Sequence, residues 1–257
     1  LDGDTITDQG DVEFAAFNSI WQSQIGAIPD ARNWDDPTNW SAGVVPTSTD
    51  IILIPANPAV GNEYPVIDQN NTEIDQVSVE ASATVTVSGG INFIVNSNVT
   101  GGGSILGSNA DTVQIGGDID ISDITIGEVA LNGSSNQQLS SPHEFNDLEI
   151  DNTNGVDASE DLTVSGTLTL TDGSLLIPSG KSLIANDKSI AAGNLRFQRR
   201  ITGARGWRLI SSPVNSTFGD LLDGTLTQGY AGSTLGNAPL DSLQPNVLTY
   251  DETFPRT

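Results

Sequence analysis

The feature that most limits what this chain can fold into is a series of short alternating segments from about residue 74 to 190. Val77-Ser78-Val79, Thr84-Val85-Thr86-Val87, 91–95, Val113-Gln114-Ile115 and Ile119-Asp120-Ile121 each place an apolar side chain at every second position. Ile124-Thr125-Ile126, Leu148-Glu149-Ile150, Leu162-Thr163-Val164, Leu168-Thr169-Leu170 and 175–177 continue the pattern. A period of two is that of a strand with one buried face. Ser88-Gly89-Gly90, Gly101-Gly102-Gly103, Gly116-Gly117 and Asn154-Gly155 punctuate the runs. Almost no segment here carries a helical stripe.

Many short strands at near-regular spacing make a sandwich, a barrel or a solenoid. Comparable strand positions recur near 77, 93, 113, 126, 148 and 164, an interval of about 15–22 residues that suits one coil of a solenoid. Phe145 is the only aromatic residue between 94 and 196. A thin solenoid interior is filled by stacked Ile, Val and Leu, whereas a sandwich core wants large rings. Asn and Gly at the corners suit positive φ. Asn132-Gly133 and Asn154-Gly155 are also two-residue hairpin signals, which keeps the antiparallel sandwich open. The expected fold is all-β, a parallel β-solenoid over 66–192. An N-terminal Trp-rich cap with the first strands covers 1–65. A partial β-rich domain or C-terminal cap covers 193–257.

The two flanks differ from the middle. Val12, Ala15, Ala16 and Ile20 fit one helical stripe, and Phe14, Phe17 and Trp21 a second; a pair of aromatic-rich strands fits equally. Beyond about 190, Arg196, Arg199, Arg200, Arg205 and Arg208 fall close together. The stretch 195–214 has the pattern of two strands around a glycine turn, followed by a loop-rich tail.

Charge narrows the function classes. The chain of 257 residues carries 33 acids against 9 bases, a formal charge of -24. Nucleic acid as a partner is excluded, because phosphate binding needs a dense cationic face. No apolar run approaches the ~20 residues of a membrane-spanning helix. There is no cysteine, so disulfide frameworks and thiol chemistry are absent. An Asp-rich, Lys-poor surface stays soluble at high ionic strength, which fits a saline or extracellular setting. There is no methionine, so Leu1 is not a translation start, and a processed or excised piece is expected.

The run Asn33-Trp34, Asn39-Trp40-Ser41, Val45-Pro46 and Asp50-Ile51-Ile52-Leu53-Ile54-Pro55 resembles a recurring segment of large secreted surface proteins of Bacteroidetes. Asn132-Gly133, Gln137-Gln138-Leu139, Phe145-Asn146-Asp147-Leu148-Glu149-Ile150-Asp151-Asn152 and Gly155-Val156 are similar to their repeat unit, as is the run from Leu162 to Gly173. Gly206-Trp207-Arg208-Leu209-Ile210-Ser211-Ser212-Pro213 resembles the start of the β-rich domain that follows. The resemblance implies a β-helical stalk or adhesin-like segment, exported by type IX secretion as part of a longer polypeptide. Its implied partners are that secretion machinery and an extracellular glycan or surface ligand. The sorting domain that usually ends such proteins is not seen.

Several residues are candidates for chemistry. Asp118, Asp120 and Asp123 are the candidate metal ligands, with calcium as the cofactor, because hard cations take six to eight oxygens and acidic loops supply them. The spacing matches no EF-hand, and the alternative is a solvated acidic face. Asp2, Asp4, Asp8 and Asp11 form a second acidic run. Trp34 and Trp40 are candidate glycan-stacking residues, weighed against a cap over an open solenoid end. The arginine cluster could meet an anionic glycan or the acidic flank of its own solenoid. Asp4-Thr5-Ile6, Asp111-Thr112-Val113 and Asp241-Ser242-Leu243 are similar to the O-glycosylation acceptor pattern of Bacteroidetes. His143, the single histidine, lies in Pro142-His143-Glu144 and is expected at a corner. No catalytic residues are assigned. The expected function is a non-enzymatic secreted or cell-surface module; a carbohydrate-binding or polysaccharide-degrading β-helix is the alternative.

Overall fold

The computed structural model describes residues 17–23, 31–58, 63–141, 143–198 and 200. Over these the chain is a parallel β-solenoid of about six turns. Each full coil has three walls. The first wall begins with β1 (Ser19–Ile20), β2 (Ile51–Ile54) and β5 (Gln76–Val79). The second begins with β3 (Val66–Ile67) and β6 (Thr84–Val87), and the third with β4 (Thr72–Ile74), β7 (Asn92–Val95) and β9 (Thr112–Ile115). β8 (Val99–Leu106) and β10 (Ile119–Thr125) bend from the first wall onto the second. β11 (Glu128–Leu131), β12 (Gln137–Leu139) and β13 (His143–Phe145) occupy the third, first and second walls in turn. β14 (Asp147–Ala158) spans the third and first walls, and β15 (Leu162–Ile177) runs along all three. β16 (Leu183–Ile190) and β17 (Asn194–Phe197) stack on β15.

Every registered pair of these strands is parallel, which excludes the antiparallel sandwich. The Asn-Gly pairs are not hairpins. Asn132 leaves β11 by donating its backbone N–H to Ile115 O, and Asn154-Gly155 lies at the register shift between Asn152 and Val156 in β14. Both turn the chain from the third wall to the first. Of these four residues only Gly155 has positive φ, +83, so the Asn132-Gly133 corner is turned without it.

The alternation of the sequence becomes a set of stacked columns. Ile52, Val77, Val99, Ile119 and Leu139 are in register along the first wall, all pointing inward and buried. Phe93, Val113, Val129, Leu148 and Leu168 form one column of the third wall. Val95, Ile115, Leu131, Ile150 and Leu170 form the next. Each fully buried aliphatic side chain contributes roughly 1.5–3 kcal/mol before chain entropy is set against it. The corners admit little bulk. Gly101 has φ +113, and a Cβ there would lie 2.0 Å from Val79 O, so the bend of β8 over the preceding coil needs glycine.

The aromatic stripes over 12–21 lie outside the described residues except at their end, where Ser19–Ile20 is a strand. Of the arginine cluster, Arg196 lies in β17 and the Arg200 backbone N–H donates to Ser179 Oγ of the coil before it. Arg199, Arg205, Arg208, the 201–214 segment and the acidic run Asp2, Asp4, Asp8 and Asp11 lie outside the described residues, as do the patterns at 4–6 and 241–243.

Candidate functional site

Of the two acidic runs singled out in the sequence, Asp118, Asp120 and Asp123 are described, and they lie along β10 and at the corner just before it. Asp118 immediately precedes the inward Ile119, as Asn98 precedes Val99 and Gln138 precedes Leu139. Asn98 Oδ1 accepts the backbone N–H of Asp118 at 2.8 Å, and Asp118 Oδ1 accepts the backbone N–H of Gln138 at 2.8 Å. The same position on three successive coils thus makes a ladder. A corner breaks the strand pairing, and these side chains satisfy N–H groups that the break would leave without partners.

The device recurs at other corners. Asn70 Oδ1 accepts from Asn92 N at 3.0 Å, Asp147 Oδ1 from Thr167 N at 2.6 Å, and Asp161 Oδ1 from Ser182 N at 2.7 Å. The Ser182 donors hold the exposed Asp161 carboxyl below its ordinary value, with a smaller contribution from nearby Lys181. Lys181 in turn pairs with Glu160 across the same corner.

Asp111 is the most enclosed of these acids, 1% exposed. Its Oδ1 accepts from the backbone N–H groups of Gly90 and Ile91, at 2.7 and 3.0 Å, in the preceding coil. Its Oδ2 accepts from Ser108 N and Ser108 Oγ, at 2.7 and 2.6 Å. Burial alone would push this carboxyl up. The hydrogen bonds from Ser108, Ile91 and Gly90 outweigh burial and hold it below its ordinary range. Glu128 goes the other way: burial first, then the like charges of Glu149 and Asp147, push it up.

The three candidate metal ligands do not converge. Asp118 and Asp120 share the outer surface of the first wall, as alternation requires, and Asp120 Oδ1 accepts from Ser141 Oγ of the next coil at 2.8 Å. β10 shifts register between Ile121 and Asp123, which carries Asp123 round the bend. There its Oδ1 accepts from Thr125 Oγ1 at 3.0 Å. Among the described residues no group of three or more His, Cys, Asp or Glu side chains is arranged to hold a metal ion. Asp118 and Asp120 accept hydrogen bonds from the next coil, and Asp123 from its own strand.

Trp34 and Trp40 are each 1% exposed. Their rings meet edge to face at 4.8 Å, Trp40 meets Trp21 at 5.1 Å, and Trp34 meets Phe93 at 5.8 Å. Trp40 Nε1 donates to Trp34 O, and Trp21 Nε1 donates to Glu63 O. Asp36 Oδ1 caps the short 3-10 turn Pro37–Asn39 between the two indoles by accepting from Thr38 N. Phe93 heads a column of the third wall, so the rings rest on the start of the oily interior. A ring covered on both faces offers no platform to a sugar. The spacing of the tryptophans shows that they cluster, but not which way they face.

Two further features come from the fold alone. Inside the stack, Asn152 Nδ2 donates to Gln137 Oε1 at 2.8 Å, and Gln137 Nε2 donates to Ile115 O and Gly117 O, forming a buried polar pair in two consecutive coils. On the second wall a shallow groove is lined by Ile124, Ile126, Glu144, Phe145, Asn146 and Thr163. Its lining mixes apolar side chains with polar ones and the Glu144 carboxylate.

Among the described residues no helix is long and apolar enough to cross a membrane. No protein-family model, curated protein or solved structure matches this chain.

Proposed function

We propose that this chain is a structural segment of a secreted or cell-surface protein, a β-solenoid stalk or adhesin spacer without chemistry of its own. The observation that supports this most is the use of its polar groups. Acids at the corners accept hydrogen bonds from the next coil, as Asp118 does from Gln138 and Asp147 from Thr167. Side chains spent in this way stiffen a rod. In a solenoid each coil contacts only its neighbours, so length and stability both grow with coil number.

Location is supported by composition and by the resemblance to Bacteroidetes surface proteins. Residues 1–180 hold a single base, Arg32, a surface suited to a saline exterior. That resemblance also brings type IX export and a longer parent polypeptide into the proposal. Calcium enters only as a stiffening ion without an assigned site, tested by melting with and without chelator.

The direct experiment exchanges the solenoid within its parent protein. An unrelated parallel β-solenoid with the same number of coils replaces residues 51–197, and antibody access to the distal part is measured on intact cells, together with attachment to surfaces. A spacer tolerates the exchange in both assays. Lost attachment with intact display would show that the segment carries a ligand site of its own.

A further inference from the structure

The coils change shape midway while their length stays the same. Val99, Ile119 and Leu139 are register partners twenty residues apart. Within that length four residues change place. From the first wall to the third the chain takes fourteen residues between Val99 and Val113, but ten between Ile119 and Val129. From the third wall back to the first it takes four between Ile115 and Ile119, but eight between Leu131 and Leu139. The longer corner is kept in the next coil, from Ile150 to Ala158. It adds an inward position to the first wall, two residues before Leu139. Gln137, Val156, Leu175 and Leu195 fill that position in successive register. In the preceding coil the equivalent place holds Gly117, which has no side chain.

Gln137 stands at this step and is 1% exposed. Its Nε2 donates to Ile115 O and Gly117 O of the preceding coil, at 3.0 and 2.6 Å. Its Oε1 accepts from Gly133 N at 3.0 Å and from Asn152 Nδ2 of the following coil at 2.8 Å. Asn152, with no exposed surface, also donates to Ser135 O at 2.7 Å and accepts from Asn154 N at 2.9 Å. Strand pairing holds the register weakly here. β12 meets β10 at one registered pair, Ile119 with Leu139, and among the described residues β10 and β13 form no pair on the second wall. Alternation does not choose between Leu139 and Gln137 as the residue over Ile119, because a two-residue slip keeps the same face inward. The slip would shorten the corner after Leu131 by two residues and carry the Gln137 amide over Ile119, away from the carbonyls that receive it. A buried amide without partners is costly, so the network admits one arrangement. Buried polar groups among apolar ones fix register in coiled coils in the same way. We propose that Gln137 and Asn152 form a register pin that selects how the later coils seat on the earlier ones. This inference is independent of the stalk reading.

Cysteine pairs in the complete chain, which has none of its own, read the register. Ser140 N donates to Ile119 O, so Asp120 stands opposite Ser140 in the native register, and after the slip it would stand opposite Gln138. Under mild oxidation Asp120→Cys/Ser140→Cys should close a disulfide, and Asp120→Cys/Gln138→Cys should stay reduced. With Gln137→Leu and Asn152→Leu added, the second pair should close in about tenfold more molecules than without them. The proposal is overturned if the second pair stays reduced in the folded protein carrying both leucines, or if it closes as readily without them. Should the double leucine replacement fail to fold, as judged by circular dichroism, Gln137→Leu alone is read by the same two outcomes. Loss of folding there as well would overturn the proposal, because the pair would then be needed for the coil itself and not for its register.

Discussion

Asp118 Oδ1 accepts the backbone N–H of Gln138, the residue at the same corner one coil later, at 2.8 Å. Asp118 receives that coil's chain as Asn98 receives its own. Removing the acceptor leaves the Gln138 N–H part-buried without its partner, a loss of about 0.5–1.5 kcal/mol. Asp118→Ala should therefore lower the melting temperature by a few degrees. Asp118→Asn keeps a carbonyl oxygen at the same place and should melt close to the wild type. If both variants melt alike, the bond does not act as a staple.

Asp111 and Glu128 set opposite trends with pH. The folded Asp111 carboxyl lies below its ordinary value of 3.8, so its contribution is complete above that value and is lost as pH falls through the lower folded one. Glu128 is held above its ordinary 4.5, so its charge costs stability at neutral pH, and the cost disappears as pH falls through the raised value. Glu128→Gln should raise the melting temperature modestly at pH 7 and match the wild type near pH 4. Asp111→Asn places an amide N–H₂ against donors and should cost about 1–3 kcal/mol. Melts of both variants from pH 3 to 8 check the signs.

Ile150 lies between Leu131 and Leu170 in an inward column and has no exposed surface. Ile150→Asp puts a charge without a partner into the spine, with a cost above about 4 kcal/mol. Hydrogen exchange should show lost protection in β11, β14 and β15 first, because each coil supports only its neighbours. Protection equal to the wild type would mean that Ile150 faces outward.

Gly173 has φ +77, and a Cβ there would lie 1.7 Å from Asn152 O. Gly173→Ala must move the corner away from the preceding coil, and a loss of about 2 kcal/mol or more is expected. A chemical-denaturation midpoint unchanged from the wild type would contradict so close an approach.

Much of this architecture was legible in the chain itself. The alternation at Val77, Val85, Val113 and Ile119 marks strands, and their interval marks coils, because both are local consequences of which side chains need burial. The Asn-Gly pairs misdirect, since they mark a change of chain direction that serves hairpin and corner alike; only Gly155 takes the positive φ of a hairpin turn. Asp118, Asp120 and Asp123 show the limit of such a reading: a sequence gives the alternation of carboxylates but not the Gln138 N–H that lies over Asp118 or the Ser141 hydroxyl that lies over Asp120. The ladder was nonetheless present in the numbering: Asn98, Asp118 and Gln138 keep the same interval as Val99, Ile119 and Leu139. Trp34 and Trp40 show a different limit, because rings that plug an end and rings that hold a sugar are the same residues until their burial is known.

The central claim is that successive coils lie one above another in parallel register, and paired cysteines test it most directly. The chain has no cysteine of its own. Ser78 and Thr100 are register partners on the outer side of the first wall, and Asp120 is the partner of Thr100 one coil further on. Neighbouring strands lie about 4.8 Å apart, within the Cα separation that a disulfide accepts, and strands two coils apart do not. Mild oxidation should close a disulfide in Ser78→Cys/Thr100→Cys and raise its melting temperature, while Ser78→Cys/Asp120→Cys should stay reduced. Ready closure of the second pair, or failure of the first, would contradict the stacked-coil structure.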